Sequence, residues 1–352
     1  MSLPLELTAW RMEAPGEPLV KRTLPMPEPG SADVLIEVAG CGLCHTDLSF
    51  LYGGVRTKKE PPLTLGHEFT GTVLYAGPSF RGLVGRTVLV PAVLPCGECE
   101  LCWAGRGTAC RKQIMPGNDI DGGFATHAVV PARFVCPVDP GSFEPWELGV
   151  VADAVTTPFQ ATERAGVAPG DTVVVIGVGG IGTYGVQISA ARGANVIAVD
   201  VDRDKLARIR EHGALATVDV SGMDARATRD AVRKEAAGLG WGPFSWKVFE
   251  MSGTPQGQAA AYELLTFGGT VGFIGFTMEK LPVRLGNLMA FDATLFGNWG
   301  CLPELYPAAL ELVLGGKVKI RPFIRKHAMG DINQVIAKAR THELKERPVL
   351  VP

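Results

Sequence analysis

The chain has 352 residues, 46% of them hydrophobic and 20% charged, which is too long for one ordinary core and fits a soluble globular protein of two domains. Its formal net charge of −2 excludes a global attraction to nucleic acid or to an anionic membrane and leaves only local patches. No run approaches the roughly 20 apolar residues of a membrane span, and the opening MSLPLELTAW lacks a basic stretch before an apolar core, so a cytoplasmic location is expected.

In chain order, residues 1–150 read as β-rich and irregular. Apolar runs at 34–38 and 87–90 are broken by Gly and Pro clusters, and the Pro-rich stretch 25–30 reads as a turn. From about 171 the texture changes. A β-branched strand at 172–176 leads into a glycine-rich turn and a helix over 181–192. A second strand at 195–199 and a helix over 203–212 follow. Such alternation predicts an α/β, doubly wound parallel sheet. It continues through 246–251 and 270–274 and fades near Gly297, after which 304–314 reads as an amphipathic helix.

Cys96, Cys99, Cys102 and Cys110 form C-x2-C-x2-C-x7-C, with Gly97, Gly105 and Gly107 easing the turns. Four thiolates so spaced can close a tetrahedron around one Zn²⁺ and leave no position for water or substrate, which describes a structural site. Four unrelated buried cysteines and an iron–sulfur cluster are the rival readings. A nucleic-acid-binding zinc module is a rival of another class, opposed by the charge balance and by the large βαβ region.

Cys44 in GLCHTD, His67 in GHEFTG and Asp153 in ADAVTT offer one thiolate, one imidazole and one carboxylate. That set suits zinc with its fourth position open, and its two anionic ligands neutralise the metal's formal charge. Singly each is weak evidence. A lone His before Glu is usually structural, and a lone Asp before a helix is more often an N-cap.

Gly177-Val178-Gly179-Gly180-Ile181-Gly182 matches G-x-G-x-x-G between a strand and a helix. Gly177 permits the tight turn, Gly179 lets the backbone approach a pyrophosphate, and Gly182 lets helix and strand pack closely. The helix N-terminus presents N–H groups to the phosphates. Asp200 closes the next strand, where a carboxylate accepts both ribose hydroxyls of NAD and repels a 2′-phosphate. Its alternative reading is a turn Asp.

These motifs, with Asp121–Ala125 (DGGFA) between them, stand in the order of a known family. Over nearly its whole length the chain resembles the zinc-containing medium-chain alcohol dehydrogenases. The resemblance implies a GroES-like β-barrel catalytic domain over residues 1–154 and 298–352, with a structural zinc lobe at about 95–111. It implies a Rossmann domain over 155–297. Cys44, His67 and Asp153 correspond to the catalytic zinc ligands, and Glu68 to an acid beside the metal that can also visit it. Asp47 corresponds to the carboxylate orienting His67, and Thr46 to the hydroxyl that takes the substrate proton. His45 and Arg347 fall where the family contacts the cofactor pyrophosphate, with Lys205 and Ile274 also expected at the cofactor. Ser49 replaces a histidine that many members use to pass the proton outward. The cofactors implied are NAD and two zinc ions per chain, one catalytic and one structural, and the expected assembly is a homo-oligomer, a tetramer rather than a dimer.

A narrower resemblance, around residues 113–121, is to dehydrogenases of cyclic hydroxyacyl-CoA thioesters in anaerobic aromatic degradation. It implies such a thioester as substrate, with Arg56, Lys58 and Lys59 as candidate phosphate contacts and Leu94, Ile274 and Trp299 as candidate pocket residues. Simple secondary alcohols or polyols are the alternative substrates. A non-catalytic zinc-binding protein is the alternative of another class, opposed by Cys44, His67, Asp153 and Thr46 standing together.

Overall fold

The structure, a computed structural model, describes residues 3–352. The chain divides into two units. The first runs to Thr156 and regains Gly300–Leu314 and Ile320–Pro352; the second comprises Thr157–Trp299 and Gly315–Lys319. The sequence suggests divisions at 154/155 and 297/298 and gives no hint that Gly315–Lys319 returns to the second unit. There Gln187 accepts the Lys319 N–H at 2.7 Å and donates to its carbonyl at 3.2 Å.

In the first unit, β1 (Glu6–Met12) pairs antiparallel with β2 (Val20–Pro25). Then come β3 (Asp33–Gly42), helix α1 (His45–Leu51), β4 (Leu63–Thr64), β5 (Glu68–Ala76) and β6 (Thr87–Val90). A four-residue helix, α2 (Glu100–Trp103), lies in the cysteine lobe, followed by β7 (His127–Pro131) and β8 (Cys136–Val138). Side chains two apart share a face of a strand, so Val34, Ile36 and Val38 of β3 enter one core with Phe69, Val73, Val88, Val90 and Phe124. Full burial of each such side chain is worth about 1.5–3 kcal/mol.

In the second unit, α3 (Thr156–Arg164), whose first residue ends the first unit, leads to β9 (Thr172–Ile176), α4 (Gly182–Ala191), β10 (Asn195–Asp200), α5 (Arg203–Arg210) and β11 (Ala216–Asp219). α6 (Ala225–Gly238), β12 (Lys247–Glu250), α7 (Pro255–Glu263), β13 (Thr270–Phe273), α8 (Gly286–Phe291) and β14 (Thr294–Gly297) complete it. The strands run in the order β11-β10-β9-β12-β13-β14, every pair parallel. The order reverses direction between β9 and β12, and the crevice beyond the carboxyl ends of such strands is where this architecture binds dinucleotides.

The returning segment adds α9 (Tyr306–Leu314), β15 (Ile324–Ala328), α10 (Ile332–Arg340) and β16 (Arg347–Val351) to the first unit. β16 pairs antiparallel with β3, completing the sheet β15-β16-β3-β5-β6-β8, with β7 also on β3. Among the described residues, no helix is long and apolar enough to cross a membrane.

Candidate active site and metal centres

The register of β3 and β5 brings the first two candidate ligands together. Two register shifts along this pair end with Gly42 opposite Glu68. Cys44 follows just after Gly42, and His67 immediately precedes Glu68, so the antiparallel chains deliver both to one spot. Gly42 is itself required, because a Cβ there would lie 2.0 Å from Glu68 Oε1. Asp153 arrives from a third segment, at the end of the 3₁₀ helix Pro145–Ala152.

The ligand atoms of Cys44, His67 and Asp153 all lie within 4.8 Å of one another, and all three residues are buried. Asp153 Oδ2 is 3.8 Å from Cys44 Sγ and 3.6 Å from His67 Nε2. Bonds of about 2.0–2.3 Å at tetrahedral angles separate donors by about 3.3–3.8 Å, so the set fits one zinc ion. Electrostatics favour a cation as well. Burial opposes charge on His67, yet Asp47 and Asp153 hold its pKa well above the usual value.

Thr46 is half-buried, its Oγ1 3.6 Å from Cys44 Sγ. Glu68 is wholly buried beside His67. Burial pushes its pKa up to about 7, against the pull of Arg347. Arg347, expected at the cofactor pyrophosphate, is paired with Glu68. Its Nε and Nη2 fork onto Glu68 Oε1 and Oε2 at 2.8 and 2.5 Å, a bidentate pairing that commits the guanidinium to a buried carboxylate. His45 is exposed and stacks on His342, with ring centroids 6.1 Å apart.

Three further groups of expected residues have partners within the first unit. Ser49 Oγ donates to the His45 carbonyl at 3.0 Å. This is a back-bond within the helix, aiming its proton at a group that cannot take it. Lys58 and Lys59 are engaged by Asp119 and Asp121, at 2.7 and 2.5 Å. Leu94 is buried, and its backbone bridges to Ile114, so it fills the core of the first unit.

Cys96, Cys99, Cys102 and Cys110 converge in their lobe with sulfur–sulfur distances of 3.5–3.9 Å. A tetrahedron of about 2.3 Å Zn–S bonds has edges of about 3.8 Å. The Cys102 backbone pulls Cys99 down to about 7, toward the thiolate. Arg133 braces the turn by donating to the Cys96 carbonyl at 3.1 Å.

In the second unit the glycine loop leaves the carboxyl end of β9. Gly177 has φ +81°, and a Cβ on it would meet Ser252 Cα at 2.6 Å. A Cβ on Gly182 would strike the Gly177 carbonyl, while the space beside Gly179 is open, leaving its backbone approachable. Gly180 and Ile181 complete the loop before α4. Asp200 ends β10, and its Oδ2 accepts the Val178 N–H at 2.7 Å, tying the loop to the neighbouring strand. Ile274 follows β13 at the same edge of the sheet, and Lys205 lies on α5 with Nζ 3.9 Å from Asp202. Glu250 went unnoticed in the sequence. Buried at the end of β12, it accepts the Ser252 and Gly253 N–H groups at 2.8 and 3.1 Å and shapes the turn beside Gly177. The signal was there, a carboxylate closing a parallel strand as Asp200 does.

Residues 30–140 match the alcohol dehydrogenase GroES-like domain, and residues 180–315 match the zinc-binding dehydrogenase domain. An alcohol dehydrogenase of Rhizobium meliloti (strain 1021) is 31% identical over 316 residues, covering 89% of this chain and 90% of that one. The chain belongs to the zinc-dependent medium-chain alcohol dehydrogenase family. An alcohol dehydrogenase of Geobacillus stearothermophilus is 29% identical over 326 residues, covering 92% of this chain and 93% of that one. The crystal structure of galactitol-1-phosphate dehydrogenase from Escherichia coli aligns with a TM-score of 0.86 at 25% identity, covering 98% of this chain and 100% of that one. The two units are thus the family's GroES-like and Rossmann domains. The protein is an NAD-dependent zinc alcohol dehydrogenase with catalytic and structural zinc.

Proposed function

We propose that the protein oxidises a secondary alcohol to a ketone with NAD, and that its substrate is 6-hydroxycyclohex-1-ene-1-carbonyl-CoA, converted to the 6-oxo compound in anaerobic aromatic degradation. The reaction class rests on the convergence of Cys44, His67 and Asp153 within 4.8 Å. The substrate rests on the narrower sequence resemblance around residues 113–121. Zinc held by these three side chains supplies a Lewis acid that lowers an alcohol's pKa. Thr46 Oγ1 is placed to accept the alcohol's hydroxyl proton while handing its own outward to solvent, and NAD, when bound, would supply the hydride acceptor. Asp200 selects NAD by facing the ribose with negative charge.

With Lys58 and Lys59 engaged by carboxylates, Arg56 is the remaining cation of that loop for a CoA phosphate; it is exposed, with no ion-pair partner among the described residues. Exposed Phe276, Met278, Leu285 and Met289 in the second unit support self-association, which we take to be a homotetramer in the cytoplasm.

A second reading, simple secondary alcohols or polyols, is favoured by the names of the relatives, among them galactitol-1-phosphate dehydrogenase and several alcohol dehydrogenases. NAD reduction measured with the thioester, with free cyclic alcohols and with polyols separates the two. Turnover of the thioester at a kcat/KM at least tenfold above the others is expected. Turnover of free alcohols with none of the thioester would defeat the finer assignment.

A further inference from the structure

One phenol oxygen joins three segments of the first unit. Tyr306, the first residue of α9, is fully buried. Its hydroxyl donates to the Ala152 carbonyl and accepts the Ala92 N–H at 3.1 Å, just beyond β6. Thr156 Oγ1, also buried, donates to the same Ala152 carbonyl at 3.2 Å. Burial pushes the Tyr306 pKa well up, so the hydroxyl stays a neutral donor.

Ala152 immediately precedes Asp153. There the 3₁₀ helix ends and the backbone turns out of helical geometry, with φ −140° and ψ −56° at Asp153. A carbonyl at a helix end has lost its intrahelical partner and, once buried, needs another. Here two hydroxyls take that place and fix the plane of the Ala152–Asp153 peptide. The peptide plane sets the direction of the Asp153 side chain toward Cys44 Sγ and His67 Nε2. Asp47 serves the other two members of the set.

We propose that Tyr306 is a positioning residue for the Asp153 carboxylate, its hydroxyl holding the Ala152–Asp153 peptide so that the carboxylate meets Cys44 and His67. The proposal rests on the reading that these three residues hold the catalytic zinc.

The test is zinc release to a chelating dye from the intact holoprotein, with total zinc counted by elemental analysis. In the unmodified protein one zinc should leave quickly and one slowly. Tyr306→Phe should speed the fast release about tenfold, at the low end for supporting residues of a metal site, and leave the slow release unchanged. In an Asp153→Ala background the same substitution should add nothing, because the group it positions is gone. Unchanged release from Tyr306→Phe overturns the proposal, and so does an equal acceleration in both backgrounds, which would mean general loosening. Should Tyr306→Phe not fold, Thr156→Val should speed the fast release and Thr156→Ser restore it; no difference between that pair overturns the proposal. If Asp153→Ala leaves the fast release untouched, the reading of the metal site fails first and the role of Tyr306 falls with it.

Discussion

Asp47 Oδ1 stands 3.4 Å from His67 Nδ1, both side chains almost wholly buried. The same carboxylate accepts the Cys44 N–H at 2.9 Å and the Gly66 N–H at 3.2 Å. One side chain at the third position of α1 therefore orients two of the three candidate ligands. A carboxylate on the far nitrogen of an imidazole fixes its tautomer and raises its basicity toward a metal.

Asp47→Asn should lower affinity for the labile zinc by about 10- to 100-fold. The four-cysteine zinc should stay bound, since its ligands lie on another lobe. Equilibrium dialysis against a competing chelator reads both. Unchanged affinity would show that the 3.4 Å contact does not tune the site.

Asp200, proposed to select NAD, also has a structural task that its place in the sequence does not reveal: it accepts the Val178 N–H at 2.7 Å and the Asp202 N–H at 2.9 Å. Asp200→Gly removes the repulsion of a 2′-phosphate and also releases the glycine loop. KM for NAD should rise by about tenfold while KM for NADP falls, narrowing the preference. Steady-state kinetics with both cofactors checks this. An unmodified enzyme that prefers NADP would contradict the role given to Asp200.

Elements with a strong local signal could be read before the structure. β9 is five consecutive apolar or β-branched residues with a glycine loop behind them, and its limits match the reading. β11 and β14, the two edge strands of the parallel sheet, are partly exposed and carry no unbroken apolar run to mark them. The three candidate ligands stood out by residue type. The register shifts between β3 and β5 that bring Cys44 and His67 together are properties of pairing, invisible along one strand. The fork of Arg347 onto Glu68 joins residues from opposite ends of the chain, which no local pattern encodes. Tyr306 looks like any tyrosine at a helix start, and only its two buried hydrogen bonds mark it.

The proton path separates Thr46 from Ser49. Thr46 Oγ1 lies beside Cys44 Sγ, whereas Ser49 Oγ points its proton at the His45 carbonyl. Thr46→Val should lower alcohol oxidation by about 100-fold or more, the usual range for losing a general acid–base group. Ser49→Ala should stay within about twofold, because it removes only a helix back-bond. Ser49→His should introduce a histidine-like inflection into the pH–rate profile. A loss in Ser49→Ala as large as that in Thr46→Val would make Ser49 a relay member after all.

The last prediction concerns the 3₁₀ helix that carries Asp153. Glu147 lies within it, nine-tenths buried. Its oxygens accept Arg321 Nε at 2.7 Å, Arg321 Nη2 at 3.0 Å and the Glu144 N–H at 2.8 Å. Burial alone would raise its pKa. The hydrogen bonds from Arg321 and from the Glu144 backbone outweigh burial and hold it below the ordinary 4.5. A carboxyl with a lower pKa folded than unfolded is protonated first in the unfolded chain as pH falls. Its stabilisation is therefore complete above about 4.5 and is lost as pH drops through the folded pKa. Glu147→Gln should cost about 1 kcal/mol at neutral pH, at the low end for a charged hydrogen bond because Arg321 is half-exposed. Unfolding in urea at pH 7, 5, 4 and 3 should show a constant gap between the two proteins down to about pH 5, then a shrinking one. A gap that persists undiminished at pH 3 would mean that the carboxylate charge is not what anchors this helix.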